Sequence, residues 1–244
     1  MNERIRAQLR LLLLQSAWSY ERMHGIGMGY AAEPLLGDLE TLDPRRLAEA
    51  RVRAAEPFNA HPVLAGVALG ASVRAEMDGV PGTQVSRLKA ALGGPLGALG
   101  DQLFWAGIVP LLSGLALILV VRGWVAGGLL LLVGGYNACR WATARWALRL
   151  GMANGMTVGT ALGTSWLPRT AAAVGPAAGT AVALALPLVL AWYARPKLAT
   201  DGLMIGGIAL LVALLSWRFQ REVPPVRVAL VLVAIVLLVR LGGA

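Results

Sequence analysis

The 244-residue sequence has one cysteine, two histidines, three phenylalanines and little charge, with only 14% of its residues Asp, Glu, Lys or Arg. A single cysteine, Cys139, excludes an intramolecular disulfide and a cysteine-based metal site, and two histidines argue against a structural zinc. There is no phosphate cradle and no nucleotide motif. No metal and no cofactor is therefore expected. The shortage of charge, with 57% hydrophobic residues and a mean hydropathy of +0.65, excludes an ordinary soluble domain and indicates an integral membrane protein. Acid is scarcest in the second part. Residues 1–90 hold 11 Lys/Arg and 10 Asp/Glu, whereas residues 91–244 hold 11 and 3. A net charge of +9 and a pI near 10.9 would also suit a nucleic-acid binder. The arginines, however, are scattered between apolar runs rather than gathered on one polar face, so they read as membrane-flanking charge and no nucleic-acid partner is expected.

What the chain has in quantity is glycine, and its most unusual use is Gly93–Trp105, GGPLGALGDQLFW, just where a long apolar run begins. Glycine and proline break helices and admit close backbone approach, which lipid tolerates only where protein or a polar cavity covers the freed groups. An acid at the lip of a bilayer segment, Asp101, is by default a site hypothesis. The competing reading is that the glycines pack helices and Asp101 is the N-cap of the next one.

From the start of the chain, Ile5, Leu9, Leu12 and Leu13 recur at helical spacing, with Arg4, Arg6 and Arg10 on other faces. That suits a helix lying on the membrane surface, with a core-facing helix as the alternative. Gln15 cuts the Leu11–Leu14 run and no small-residue cleavage site follows, so this is not a signal peptide. In WSYERM, Trp18 and Glu21 are three apart and would share a helix face, offering an aromatic plane and a carboxylate of the kind sugars need. Glu21 and Arg22 would otherwise be a solvated pair. Asp43-Pro44 opens a helix with its N-cap and first-turn residues in place, and the exposed helix that follows, Arg45–Glu56, stops before Pro57. Pro57–Val73 has no charge but is interrupted by Pro62 and two glycines, which fits a re-entrant or hairpin segment with Asn59 and His61 at its mouth. A lone histidine there is otherwise a helix-terminus partner. Residues 74–89 read as polar loop.

Beyond them lie apolar runs at 103–121, 123–139, 170–194, 202–217 and 223–239, the last holding only Arg227. The expected architecture is an all-α integral membrane protein of about five transmembrane helices, with re-entrant or interfacial segments in its N-terminal half. Residues 1–90 would form the interfacial and cytoplasmic part and residues 91–244 the spanning part of one domain. Arg140, Arg145 and Arg149 flank one end of these spans and Arg218, Arg221 and Arg227 another, which the positive-inside rule places in the cytoplasm. Trp141 and Trp146 would anchor the first cluster at the interface. Gly151–Pro168 reads either as a second re-entrant piece or as a flexible connection.

Four blocks, LQSAWSYERMHGIGMGY (residues 14–30), EPFNAHPVLAGVALG (56–70), LGGPLGALGDQLFWAGIVPLLSG (92–114) and NACRWATARWALRLGMANG, resemble the IID membrane subunit of the mannose/fructose/sorbose family of sugar phosphotransferase systems. The terminal ALLSWRFQREVPPVRVALVLVAIVLLV resembles that family's last helical hairpin. The resemblance implies a non-catalytic permease subunit in the bacterial cytoplasmic membrane. It would pair with a IIC subunit in a trimer of heterodimers and move a hexose-type sugar by an elevator-like motion, while cytoplasmic IIA and IIB relay phosphate through phosphohistidines. It also implies that Trp18, Glu21, Asn59, His61, Asp101 and Trp105 are substrate-contact candidates. Two departures stand out: a short region between Thr170 and Asp201, and His24 where the family has glutamine. A regulatory or scaffold protein in an incomplete phosphotransferase set and an unrelated small channel are the alternatives. A neighbouring gene for IIC would separate the first from the permease reading, and conductance from the lone chain would support the second.

Overall fold

A computed structural model describes residues 3–37, 39 and 43–193, and these are mostly helical, with no strand among them. In order the helices are α1 (Glu3–Leu11), α2 (Gly25–Ala32), α3 (Pro44–Ala54), α4 (Ala65–Met77), α5 (Gly82–Gly100), α6 (Val109–Val121), α7 (Val125–Leu129), α8 (Tyr136–Asn154), α9 (Val158–Thr164) and α10 (Trp166–Tyr193). Wider π-helical turns, Asp101–Ile108 and Leu130–Gly135, join α5 to α6 and α7 to α8. By its contacts the chain divides into two units, residues 1–185 and 186–244. The helices around the cavity described below belong to the first.

The composition of α4 explains its central place. Ten of its 13 residues are buried, including Ala65 to Ala71 without interruption, because small side chains let neighbours approach on every side. Its closest neighbour is α8. A Cβ added at Gly70 would lie 2.6 Å from the Leu148 carbonyl oxygen and 2.7 Å from the Met152 nitrogen, and one at Gly151 would strike the Val67 carbonyl. Only glycine permits that approach, and Gly66 and Gly70, four apart, form the small-residue seam by which helices pack in lipid.

Two helical runs, Gly82–Val121 and Val125–Leu190, contain 18-residue stretches of mean hydropathy 2.4 and 1.9, of which only 22% and 17% is buried. A soluble core helix of that hydropathy would be mostly covered; long apolar helices left bare fit membrane insertion. The apolar runs expected at 103–121, 123–139 and 170–194 fall on α6 and the turn before it, on the segment from Gly123 into α8, and on α10. Those at 202–217 and 223–239, the Arg218 to Arg227 cluster and the terminal hairpin lie outside the described residues.

Several local expectations change. Gly93, Gly94 and Pro95 do not break the chain: the helix passes through all three. Pro95 cannot donate to the Ala91 carbonyl. Gly94, lacking a Cβ, relieves the clash that proline imposes on a helical residue before it. Asp101 therefore stands in mid-helix and is not the N-cap of a helix starting at Leu103. Residues 74–89 are not loop but the end of α4, a short turn and the start of α5. Gly151–Pro168 is ordered helix with a turn at Gly155 (φ +50°). The stripe of Ile5, Leu9, Leu12 and Leu13 faces outward, while α1 packs on the core through a different face, Ala7, Gln8 and Leu11.

The cap of α3 forms as expected, the Asp43 carboxylate accepting the Arg46 N–H at 3.0 Å. Its polar face, however, is not simply solvated. Arg53 donates to Glu76 at 2.6 and 3.0 Å, and Arg46 reaches the same carboxylate at 3.0 Å while donating to the Glu76 and Val80 carbonyls. The Glu76 side chain is only 4% exposed. A carboxylate so buried needs a guanidinium partner, and the two hydrogen bonds from Arg53 supply it even without Arg46.

Candidate functional site

The site is assembled by two irregular turns lying side by side. Residues 12–24 form successive turns rather than a helix, so Trp18 and Glu21 do not share a helix face as the sequence spacing implied. The Met23 N–H bonds to the Ser19 carbonyl at 2.7 Å, and Met23 takes a left-handed conformation (φ +51°), which costs a non-glycine residue about 1–2 kcal/mol. That turn aims the next backbone groups at a neighbour: the His24 N–H donates to the Phe58 carbonyl at 2.8 Å and the Phe58 N–H to the Arg22 carbonyl at 3.4 Å. The pairing sets Trp18 and His24 beside Asn59 and His61.

Helix α5 closes the other side, and its glycines set the spacing. A Cβ on Gly93 would come within 2.9 Å of the Asn59 carbonyl oxygen, and one on Gly100 would overlap Cβ and Cγ of His61. Gly94 and Gly97 instead have nothing within 4 Å of where a Cβ would lie, because they face open space. The result is a cavity of about 450 Å³, lined by the polar groups of Gln15, Trp18, His24, Asn59, His61 and Asp101 and floored by the glycines of α5. That volume falls within the range of roughly 300–1,000 Å³ usual for small-molecule clefts.

His61 is the rigid element of the wall. It is 3% exposed, stacks on Phe104 (centroids 5.1 Å apart, planes at 14°) and meets Trp105 at 5.4 Å. Its Nδ1 accepts the Val63 N–H at 3.3 Å, which leaves the proton of the neutral ring on Nε2, a buried atom without a partner. The ring lies outside both apolar runs. Burial lowers its pKa to about 4, against the opposing pull of the Asp101 charge, so it is neutral at physiological pH. Burial likewise lowers the pKa of His24, whose Nδ1 is also buried and unpartnered. The cavity thus offers a carboxylate acceptor at Asp101, amides at Gln15 and Asn59, neutral imidazoles and the Trp18 ring, which packs edge-on against Tyr20 at 4.9 Å. Such a set suits a neutral, hydroxyl-rich molecule with one apolar face better than an ion.

Of the six residues singled out from the sequence, Trp18, Asn59, His61 and Asp101 come together on this lining. Glu21 is exposed and does not line it, and Trp105, 54% exposed, reaches it only through His61. Gln15 and His24 line the cavity without having been singled out as site residues. Their signals were a polar residue cutting a leucine run and a departure from a family pattern.

Bare apolar helices beside a polar cavity floored by glycine define a membrane protein with a cleft of small-molecule size. The whole chain, residues 1–244, matches the family described as the PTS system mannose/fructose/sorbose family IID component. It is 32% identical over 155 residues to the fructose permease IID component of Bacillus subtilis (62% of this chain, 56% of that one). It is 27% identical over 166 residues to the mannose-specific EIID component of Escherichia coli K12 (66% and 58%). To the sorbose-specific EIID component of Klebsiella pneumoniae it is 30% identical over 166 residues (66% and 60%). The matches span less than two thirds of the length of these curated relatives. Among solved structures, the fold is similar to a chain of the cryo-EM complex of the mannose transporter ManYZ with microcin E492, with a TM-score of 0.59, 20% identity and 99% and 96% of the two chains covered. A second solved membrane protein is similar at a TM-score of 0.70, 19% identity and 96% and 94% coverage. The chain belongs to the mannose/fructose/sorbose family of phosphotransferase-system IID components.

Proposed function

We propose that this chain binds a hexose-type sugar in the cavity between the Trp18–His24 turn, the Asn59–His61 turn and α5, and carries it across the bacterial cytoplasmic membrane together with a IIC subunit. The observation that carries the reading is the composition of that cavity: one carboxylate, neutral donors and acceptors and an indole around a volume suited to a small ligand. The carboxylate and amides accept and donate to hydroxyls, and the indole covers the apolar face of a pyranose. Desolvation makes each such bond worth more than it is in water. His61 supplies shape, held by Phe104 and Gly100, and one N–H on a neutral ring that does not compete for the Asp101 charge.

In this reading the chain performs no chemistry on the sugar. IIA and IIB pass phosphate to it, and the chain's own work is binding, orientation and movement within a multi-pass IIC–IID assembly, a trimer of heterodimers. The bare apolar faces of α6 and α10 support it, because lipid provides no hydrophobic drive between helices and small-residue surfaces need partner helices to pack. The test is uptake of labelled mannose, fructose and sorbose by cells that lack their own mannose-family transporter and express this chain with its IIC partner and IIA/IIB. Uptake that needs both membrane subunits is expected. Uptake by IIC alone would contradict the proposal.

A further inference from the structure

Lys89 is a cation placed where none is needed for solubility. It lies on α5, is only 3% exposed, and its three ammonium donors are taken up by three main-chain carbonyls, those of Arg53 at 2.8 Å, Ala54 at 2.9 Å and Glu56 at 3.0 Å. These are carbonyls at and just beyond the end of α3, where an α-helix has no intrahelical partners to offer and where the helix dipole is negative. A single ammonium on a flexible stem can point three donors at three convergent oxygens; a neutral residue or the planar fork of arginine cannot. One turn away on the same helix, Ser86 donates to the Glu56 carboxylate at 3.0 Å.

The turn gripped in this way is the one that leads into Asn59 and His61. The first residue of α2 also rests on it, since a Cβ at Gly25 would come within 2.5 Å of the Glu56 carbonyl oxygen and 2.8 Å of that of Ala55. The same α5 that carries Lys89 supplies Gly93, Gly94 and Gly97 to the cavity and runs directly into the π-helical turn that begins at Asp101. All three walls of the cavity are therefore referenced to one buried ammonium. Resting on the sugar-site reading above, we infer that Lys89 is a positioning residue for the sugar cavity: it fixes the 53–60 turn to α5 and so sets Asn59 and His61 against Asp101 without touching the ligand.

The experiment compares Lys89→Met with Arg46→Met, which removes a different partly buried cation, one that ties α3 to the end of α4 rather than to the cavity turn. Both are prepared as the IIC complex in a Cys139→Ser background. Backbone hydrogen exchange is followed in peptides covering 22–26 and 53–64, and binding of labelled mannose and fructose is measured on the same samples. Lys89→Met is expected to speed exchange in both segments at least tenfold and to weaken sugar binding at least tenfold. Arg46→Met should leave affinity within threefold. Lys89→Cys alkylated with bromoethylamine, which restores an ammonium at nearly the same reach, should recover most of the binding. Unchanged exchange in Lys89→Met, or loosened exchange with unchanged affinity, would overturn the inference. So would loss of affinity of equal size in Arg46→Met. If the wild-type complex binds neither sugar, the sugar-site reading fails by itself, and the exchange comparison still decides whether Lys89 holds the turn.

Discussion

Gly100→Ala should destabilise the protein although it replaces a helical glycine by the best helix former. In an open helix position that change is worth about 1 kcal/mol of stability. At Gly100 the new methyl would occupy the space of the His61 Cβ and Cγ. The ring has nowhere to go: it is buried, stacked on Phe104 and tied through Nδ1 to the Val63 N–H. Overpacking of this kind costs about 1–3 kcal/mol, and a side chain held on two sides argues for the upper end. The net is a loss of about 2 kcal/mol, or roughly 4–8 °C in melting temperature for a chain of this size. Gly97→Ala is the internal control, because it sits one turn earlier on the same helix with nothing within 4 Å of the new Cβ. It should gain about 0.5–1 kcal/mol. Thermal unfolding of both variants in detergent, as the IIC complex, reads the difference directly. A Gly100→Ala protein that melts at or above Gly97→Ala would show that His61 does not pack on this helix as described.

Three further outcomes follow from other parts of the structure. Because the folded protein holds His61 neutral with a pKa of about 4 and an unfolded histidine titrates near 6.5, its contribution is complete above pH 6.5 and is lost as pH falls toward 4. Melting temperature should drop across that window by an amount equivalent to about 3 kcal/mol and the drop should be smaller in His61→Gln; equal acid sensitivity in the variant would count against it. A cysteine at Arg145 in a Cys139→Ser background should resist impermeant thiol reagents on intact cells, and labelling there would reverse the assigned orientation. Expressed without IIC, the chain should aggregate in mild detergent, whereas a monodisperse, heat-stable lone chain would show that its bare helix faces need no partner.

What could be read from the sequence was whatever depends on neighbours in the chain. The Asp43-Pro44 start and the stop before Pro57 are local chemistry and appear as expected. The apolar runs up to Tyr193 are helical, since composition and length specify them. Readings that depended on distant partners failed. Gly93-Gly94-Pro95 looked like a break because local propensity says so, yet the Asn59 carbonyl and the open cavity explain glycine there while the helix continues. Arg46 and Arg53 looked like solvated charges because Glu76, their buried partner, is more than twenty residues away. Trp18 and Glu21 were paired by helical spacing, but the left-handed turn at Met23 is not helix, and it brings His24 to the cavity instead. Of the residues that did converge, Asn59, His61 and Asp101 came from chemistry and family resemblance rather than from periodicity, and Trp18 reaches the cavity by a turn and not by the helix face that singled it out.

The most direct test of sugar binding in this cavity is the affinity of the purified IIC complex for labelled mannose and fructose, wild type against Asp101→Asn. Asp101 is exposed in mid-helix and caps nothing, so the change should leave assembly on a sizing column and melting temperature essentially unaltered. An amide presents donors where the carboxylate only accepted, and the lost charge-assisted bond should cost about 1.5–3 kcal/mol, a weakening of about tenfold to more than a hundredfold. Loss of at least tenfold in affinity with an intact complex is the expected result; an intact complex that binds sugar with wild-type affinity would contradict the assignment of this cavity as the sugar site.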